Sequence, residues 1–191
     1  MDSPLTSVRD IEIRRATEAD APTLADVYNP YVVDSIITFE EMPVSLSDMA
    51  ARVAEADSVG LPFLVAEARG LPVGFANASK WKGRCAYRHT AETTVYVGRD
   101  HCRLGVGMAL YTRLLELLQQ SGIHAAIGGI ALPNEASIAL HERLGFVQVA
   151  RFREVGFKFG RWVDTVLMQR ALGPGSETLP GADVPSAARG G

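Results

Sequence analysis

The sequence predicts one mixed α/β domain built on a single sheet. Three observations lead there. The hydrophobic period gives the order β-α-α-β-β-β-α-β-α-β-β. Only the stretch running strand, glycine loop, helix, strand, helix, strand alternates regularly, which favours a mixed sheet over a doubly wound parallel one. The 191 residues, 47% of them apolar, suffice for one real core.

Each element has its own signal. Ile11-Glu12-Ile13-Arg14 alternates as a half-buried strand does. Thr17 can cap the next helix, with Glu18 and Asp20 at its positive end. Leu24, Val27, Tyr28 and Tyr31 recur at helical spacing, and Pro30 is expected to kink or end that helix. Ile36-Ile37-Thr38-Phe39 is β-prone. Ser45-Leu46-Ser47-Asp48 opens a helix reaching about Ala56. Residues 63–67 and 72–78 flank Arg69-Gly70 as a hairpin, with Gly70 in the turn. Residues 92–97 form the most strand-like window. Residues 106–120 are an amphipathic helix with Leu110, Leu114, Leu117 and Leu118 on one face, ended by Gly122. A short buried strand covers 124–131. Asn134 caps a helix that runs to Leu144 and stops at Gly145, and 146–155 and 162–169 are the last strands. Residues 1–10 read as a flexible N-terminus. From Gly173 the chain is aperiodic and rich in Gly, Pro and Ala, so 173–191 reads as a disordered tail and the domain as 11–172.

Composition excludes several functions. The formal net charge of −3 argues against nucleic-acid or anionic-membrane binding. No apolar run approaches the roughly 20 residues of a membrane span, and the N-terminus has no apolar signal region. Cys85 and Cys102 have no CxxC partner, so neither a disulfide framework nor a metal site is expected, and a reducing cytoplasm fits best.

The chemistry concentrates in a glycine loop. Arg103, Leu104, Gly105, Val106, Gly107 and Met108 lie between the 92–97 strand and the amphipathic helix. Two glycines allow close approach of a ligand, and the free N–H groups of the helix start attract an anion. His101, Arg103 and Arg99 can add positive charge. The loop is not a Walker motif, because Gly107-Met108-Ala109 lacks the Lys and hydroxyl. Nor is it a dinucleotide fingerprint: Leu110 stands where a third small residue belongs, and no acid lies near Ile127. A tight turn entering a helix accounts for the glycine pair equally well.

Context goes further. The loop, the strand before it, Asn134 and the helix end Leu140-His141-Glu142-Arg143-Leu144-Gly145-Phe146 together resemble the GNAT acetyltransferase superfamily. Arg14-Arg15-Ala16-Thr17, Trp81-Lys82, the 90–97 run, Leu132-Pro133-Asn134 and Gly156-Phe157-Lys158 resemble its phosphinothricin and methionine sulfoximine N-acetyltransferases, over about residues 11–170. The resemblance implies a mostly antiparallel central sheet flanked by helices. It also implies acetyl-CoA as co-substrate, no metal, and a small amino-acid-like amine acetylated directly in a ternary complex. A homodimer is expected on the same ground.

Site roles follow from the resemblance. Val95, Tyr96 and Val97 would pair with the pantetheine amides, residues Arg103 to Met108 would hold the diphosphate, and Asn134 would bond near the thioester. A free aliphatic amine is mostly protonated at neutral pH and must lose a proton before it attacks. Glu92 is the candidate base: strand alternation puts Glu92, Thr94 and Tyr96 on one face, so an acid opening an apolar strand is aimed at something, unless it is a solvated strand end. His141 would give a proton to the leaving thiolate; a hydrogen-bonded core histidine is its other reading. Lys82, Arg84 and Tyr87 would meet the acceptor's acidic groups, Phe39 would wall its side chain, and Thr94 can reach the pocket. Glu40 and Glu41 would instead favour a polyamine or a peptide N-terminus. A CoA-binding sensor without chemistry is the alternative from another class. Two departures from the family pattern stand out: Cys102 where Gln or Arg is common, and Phe159 where His often follows the Lys.

Overall fold

The computed structural model describes residues 11–173. The expected N-terminal segment, and the expected tail beyond Gly173, lie outside the described residues. One seven-stranded sheet is ordered β1-β2-β3-β4-β5-β7-β6. Its strands are β1 (Ile11–Arg15), β2 (Phe63–Ala68), β3 (Leu71–Lys80), β4 (Thr90–Val97), β5 (Ala125–Ala131), β6 (Val147–Lys158) and β7 (Arg161–Ala171). The helices are α1 (Ala21–Asp34), α2 (Leu46–Ser58), α3 (Val106–Gln120) and α4 (Glu135–Arg143). The element order is the expected one. All pairings are antiparallel except β4–β5, so the sheet is mixed and mostly antiparallel.

Two cores lie on opposite faces. Leu110, Leu114 and Leu118 of α3 bury one face of the sheet, with Ile138 and Leu140 of α4 beside them. Leu24, Tyr28 and Val32 of α1 and Met49 and Val53 of α2 bury the other against Phe63, Val65 and Phe75. Alternation on β4 serves both. Val95 and Val97 meet the α3 side, while Tyr96 packs edge-on to Tyr28 with centroids 4.8 Å apart.

Local chemistry sets the boundaries. Thr17 caps a one-turn 3-10 helix, Glu18–Asp20, through a reciprocal box with Asp20, and α1 begins after it. Arg14 grips Asp20 at 2.7 and 2.9 Å and Glu67 at 2.7 Å. The hydrogen bonds from Arg14 and Thr17 hold the Asp20 carboxyl down at about 2. Pro30 does not end α1, which continues to Asp34. Tertiary contacts override the missing N–H there: Val32 is fully buried, the Tyr31 hydroxyl donates to Val97 O at 2.6 Å, and Arg99 pairs with Asp34. Ile36 to Phe39 form no strand, because their groups bind elsewhere; Thr38 bonds Tyr28 through its hydroxyl and Lys158 through its carbonyl. Ser45 caps α2 by accepting from Asp48 N at 3.1 Å. Arg69 and Gly70, at φ 54° and 80°, make the tight β2–β3 turn.

Two features position the site. β4 and β5 pair only from Thr90 to Glu92 against Ala125 to Ile127, and then part. At the far edge, β6 leaves Val147, Val149, Phe152, Val155 and Phe157 exposed, with Trp162 of β7 beside them.

Candidate active site

A cleft of about 550 Å³ opens where β4 and β5 separate, between β4, the start of α3 and the outer side of α4. Arg103 and Gly105 take left-handed backbone, φ 63° and 84°, and turn the chain into α3. The first bond of that helix is Ala109 N to Gly105 O at 3.0 Å, which leaves the N–H groups of Val106, Gly107 and Met108 without helical acceptors. A side chain at Gly107 would project between Val97 and Leu140, at 3.6–3.7 Å, and fill the cleft. Arg103 and Arg143 line it, and neither has an ion-pair partner among the described residues. This donor set suits a diphosphate. The Leu104 and Val106 side chains pack into the core, so those two residues offer only backbone groups.

The β4 amides divide by alternation. Gly98 N bonds Val73 O, so the even-numbered residues 92–98 face β3 and the odd ones face the cleft. Val95 and Val97 therefore present backbone groups to a ligand, whereas the Tyr96 amide belongs to the β3 ladder. The Val97 carbonyl already accepts from Tyr31. Asn134 caps α4 with its carbonyl oxygen, accepting from Ser137 N at 3.1 Å, and its amide N–H groups stay free among the described residues. Capping and ligand binding are thus compatible.

A narrow cavity of about 70 Å³ continues the cleft inward, sharing Ile37, Val95, Tyr96, Asn134 and Ser137 with it. His141 and Gly129 lie at its inner end. The adjacent glycines of β5 serve opposite faces. A Cβ on Gly128 would overlap the His141 ring, and one on Gly129 would stand 3.7 Å from Glu92 Oε1. Glu92, half-buried, makes no hydrogen bond or ion pair among the described residues, and burial raises its pKa above the ordinary glutamate value while the Lys82 charge pulls it back. His141 is buried. Its Nδ1–H donates to Ser137 O at 2.8 Å, and Nε2 meets the Tyr111 hydroxyl at 2.9 Å. Tyr111 in turn meets Thr93 at 2.6 Å, and Thr93 donates to Ile127 O at 3.1 Å. Desolvation lowers the His141 pKa and keeps the ring neutral.

Of the expected acceptor residues, Thr94 lines the narrow cavity, the Phe39 ring lies over Gly156, and Lys82 acts on Glu92 through its charge. Arg84 and Tyr87 instead line, with Lys82, a separate 430 Å³ cavity at the C-terminal ends of α2 and α3, away from His141. Glu92 is in the lining of none of these three cavities and reaches the narrow one only through Gly129 and its strand neighbours Thr93 and Thr94. Sequence reasoning missed Tyr111, Arg143 and the glycine pair. Two adjacent glycines inside a strand were the available signal, since glycine there marks close approach. Cys102 reaches only weak contacts, with Sγ 3.6 Å from Gly98 O, and leaves anion binding to Arg103 and the main chain.

Comparison with known proteins agrees with this geometry. Residues 13–167 match the acetyltransferase (GNAT) domain family. The chain is 40% identical to phosphinothricin N-acetyltransferase of Alcaligenes faecalis, over 88% of this chain and 86% of that protein. It is 35% identical to L-methionine sulfoximine/L-methionine sulfone acetyltransferase of Salmonella typhimurium, over 84% and 94% of the two chains. Among solved structures, a GNAT superfamily phosphinothricin acetyltransferase from Sinorhizobium meliloti, in complex with AcCoA, superposes with a TM-score of 0.87 at 35% identity, covering 93% of this chain and 96% of that one.

Proposed function

This chain belongs to the GNAT acetyltransferase family and is an acetyl-CoA-dependent N-acetyltransferase; we propose that it acetylates the primary amine of a small amino-acid-like acceptor, of the phosphinothricin and methionine sulfoximine or sulfone type, by direct attack in a ternary complex. One observation carries the acceptor chemistry. Glu92 is a partly desolvated carboxylate without a partner among the described residues, and it sits where β4 and β5 part. A pure CoA binder needs no such group.

Acetyl-CoA brings the acetyl group as a thioester, already activated toward amines. The Val106, Gly107 and Met108 amides with Arg103 and Arg143 take its diphosphate, Val95 and Val97 take its pantetheine amides, and the free Asn134 amide faces the thioester end. Glu92 removes the proton from the acceptor ammonium, and its raised pKa narrows the gap to that amine. A β4 amide facing the cleft receives the developing oxyanion. His141, neutral and with both ring nitrogens engaged by Ser137 and Tyr111, shapes the narrow cavity, and the leaving thiolate takes the second proton that the attacking nitrogen sheds as the amide forms. Thr94 and Phe39 shape the acceptor pocket and Lys82 acts on Glu92 through its charge, while Lys82, Arg84 and Tyr87 line the separate cavity.

Glu40 and Glu41 would attract a polyamine if their charges were free. Glu40 instead pairs with Arg52, and both acids lie in the field of the buried Lys158 ammonium, which supports an acid-bearing acceptor. The exposed apolar edge of β6 supports a homodimer. Two thiols with no disulfide between them fit a cytoplasmic location.

Thiol release from acetyl-CoA across a panel of phosphinothricin, methionine sulfone, polyamines and short peptides tests the reading. Release with the first two is expected. Release with peptides alone would make the enzyme a peptide N-terminal acetyltransferase, and CoA binding without acceptor-dependent release would leave a sensor.

A further inference from the structure

The segment between α1 and α2 has no regular structure from Ile36 to Phe39, yet it is fastened on two sides. On the α1 side, the Tyr28 and Thr38 hydroxyls bond at 2.6 Å in a buried contact. On the β6 side, the Lys158 ammonium donates to Thr38 O at 2.7 Å. One residue further on, the Phe39 ring occupies the space over Gly156 that any Cβ would take. Ile37, one residue before Thr38, lines both the cleft and the narrow cavity.

Lys158 is the unusual member. It is 4% exposed, and Thr38 O is its sole hydrogen-bond acceptor among the described residues. An ammonium has three N–H donors; one serves Thr38 O, and the ammonium also lies 5.0 Å from the centroid of the Phe159 ring. Burial pulls its pKa down, while Asp34, Glu40 and Glu41 push it back up without bonding to it. A buried charge so thinly bonded adds little stability; an apolar side chain of similar volume would do as well. Its one hydrogen bond fixes a carbonyl that lies between Ile37 and Phe39.

We propose that Lys158 is a positioning residue for the acceptor: its ammonium seats the Thr38 carbonyl and thereby sets Ile37 and Phe39 as the wall against which the acceptor side chain rests. Lys158 need not touch the acceptor, and the diphosphate end of the cleft does not depend on it. The effect on the acceptor rests on the acetyltransferase reading, while the seating of the segment does not.

The test uses the full chain with Lys158→Met and Lys158→Arg. Hydrogen exchange at residues 36–41 reads the seat directly. In Lys158→Met those amides exchange about tenfold faster, with Tm within about 4 °C of wild type and acetyl-CoA affinity within about twofold. Steady-state kinetics then show acceptor KM raised about tenfold with kcat changed less, and Lys158→Arg recovers part of the loss. Unchanged exchange at 36–41 overturns the seat. Faster exchange with unchanged acceptor KM overturns the link to the acceptor, as does an equal rise in the acetyl-CoA and acceptor constants. A wild-type protein that acetylates no amine in the panel defeats the acetyltransferase reading instead, and the exchange result still decides the seat.

Discussion

Glu92 sets stability against chemistry. Its carboxyl is half-buried and has no hydrogen-bond or ion-pair partner among the described residues, so its folded pKa lies above the unfolded glutamate value of about 4.3. For a group raised in this way, the stabilising contribution is complete below the unfolded pKa and is lost as pH climbs through the folded one. At neutral pH the ionised side chain therefore weighs against the fold. Glu92→Gln should raise Tm at pH 7 and narrow the gap to wild type near pH 4. The same variant should lower kcat/KM by roughly a hundred- to ten-thousandfold and abolish the acidic limb of its pH profile. A Glu92→Gln enzyme that is active with an unchanged limb would remove the base. At this scale the face that Glu92 takes was legible in the sequence, because a strand alternates, and that face meets Gly129 of β5. The partners of His141 were not legible, since Tyr111 and Thr93 come from 30 and 48 positions earlier in the chain.

The adjacent glycines of β5 act as an element with two faces. Gly128 makes room for the His141 ring, and Gly129 faces Glu92. The two alanine variants should therefore differ in kind. Gly128→Ala drives the ring from its place and breaks its bond to Tyr111, so it should cost about 1–3 kcal/mol and lower Tm. Gly129→Ala meets Glu92 and Leu167 at 3.7–3.8 Å, ordinary contact distances, so it should keep Tm within about 2 °C while raising acceptor KM. Equal Tm losses in thermal melts would contradict the division. Element boundaries were readable where a cap or a glycine stands, as at Ser45, Gly70 and Asn134. They were misread where long-range contacts decide: α1 runs past Pro30 because Tyr31 and Asp34 are held by Val97 and Arg99.

At the scale of the molecule, the element order was legible but the lateral order of the strands was not, because β7 enters between β5 and β6 and no local pattern records that. The separation of Arg84 and Tyr87 from Glu92 was hidden for the same reason: neighbours along the chain face different cavities. The outer edge carries the third prediction. Phe157 and Trp162 are 53% and 61% exposed and meet edge-on with centroids 5.0 Å apart. Wild type should sediment as the proposed dimer, and replacing both by Glu should convert it into a monomer in sedimentation velocity with acetyl-CoA affinity retained; a monomeric wild type or an unchanged dimer mass would remove this edge as the interface. The brief pairing of β4 with β5 has a final consequence. Three residue pairs, with the Thr93 hydroxyl bond to Ile127 O beside them, lace the β1–β4 part of the sheet to the β5–β7 part. The gap beyond them leaves rungs of the β4 ladder that a thread of amide groups can complete, so on the proposed reading the donor would splint this seam.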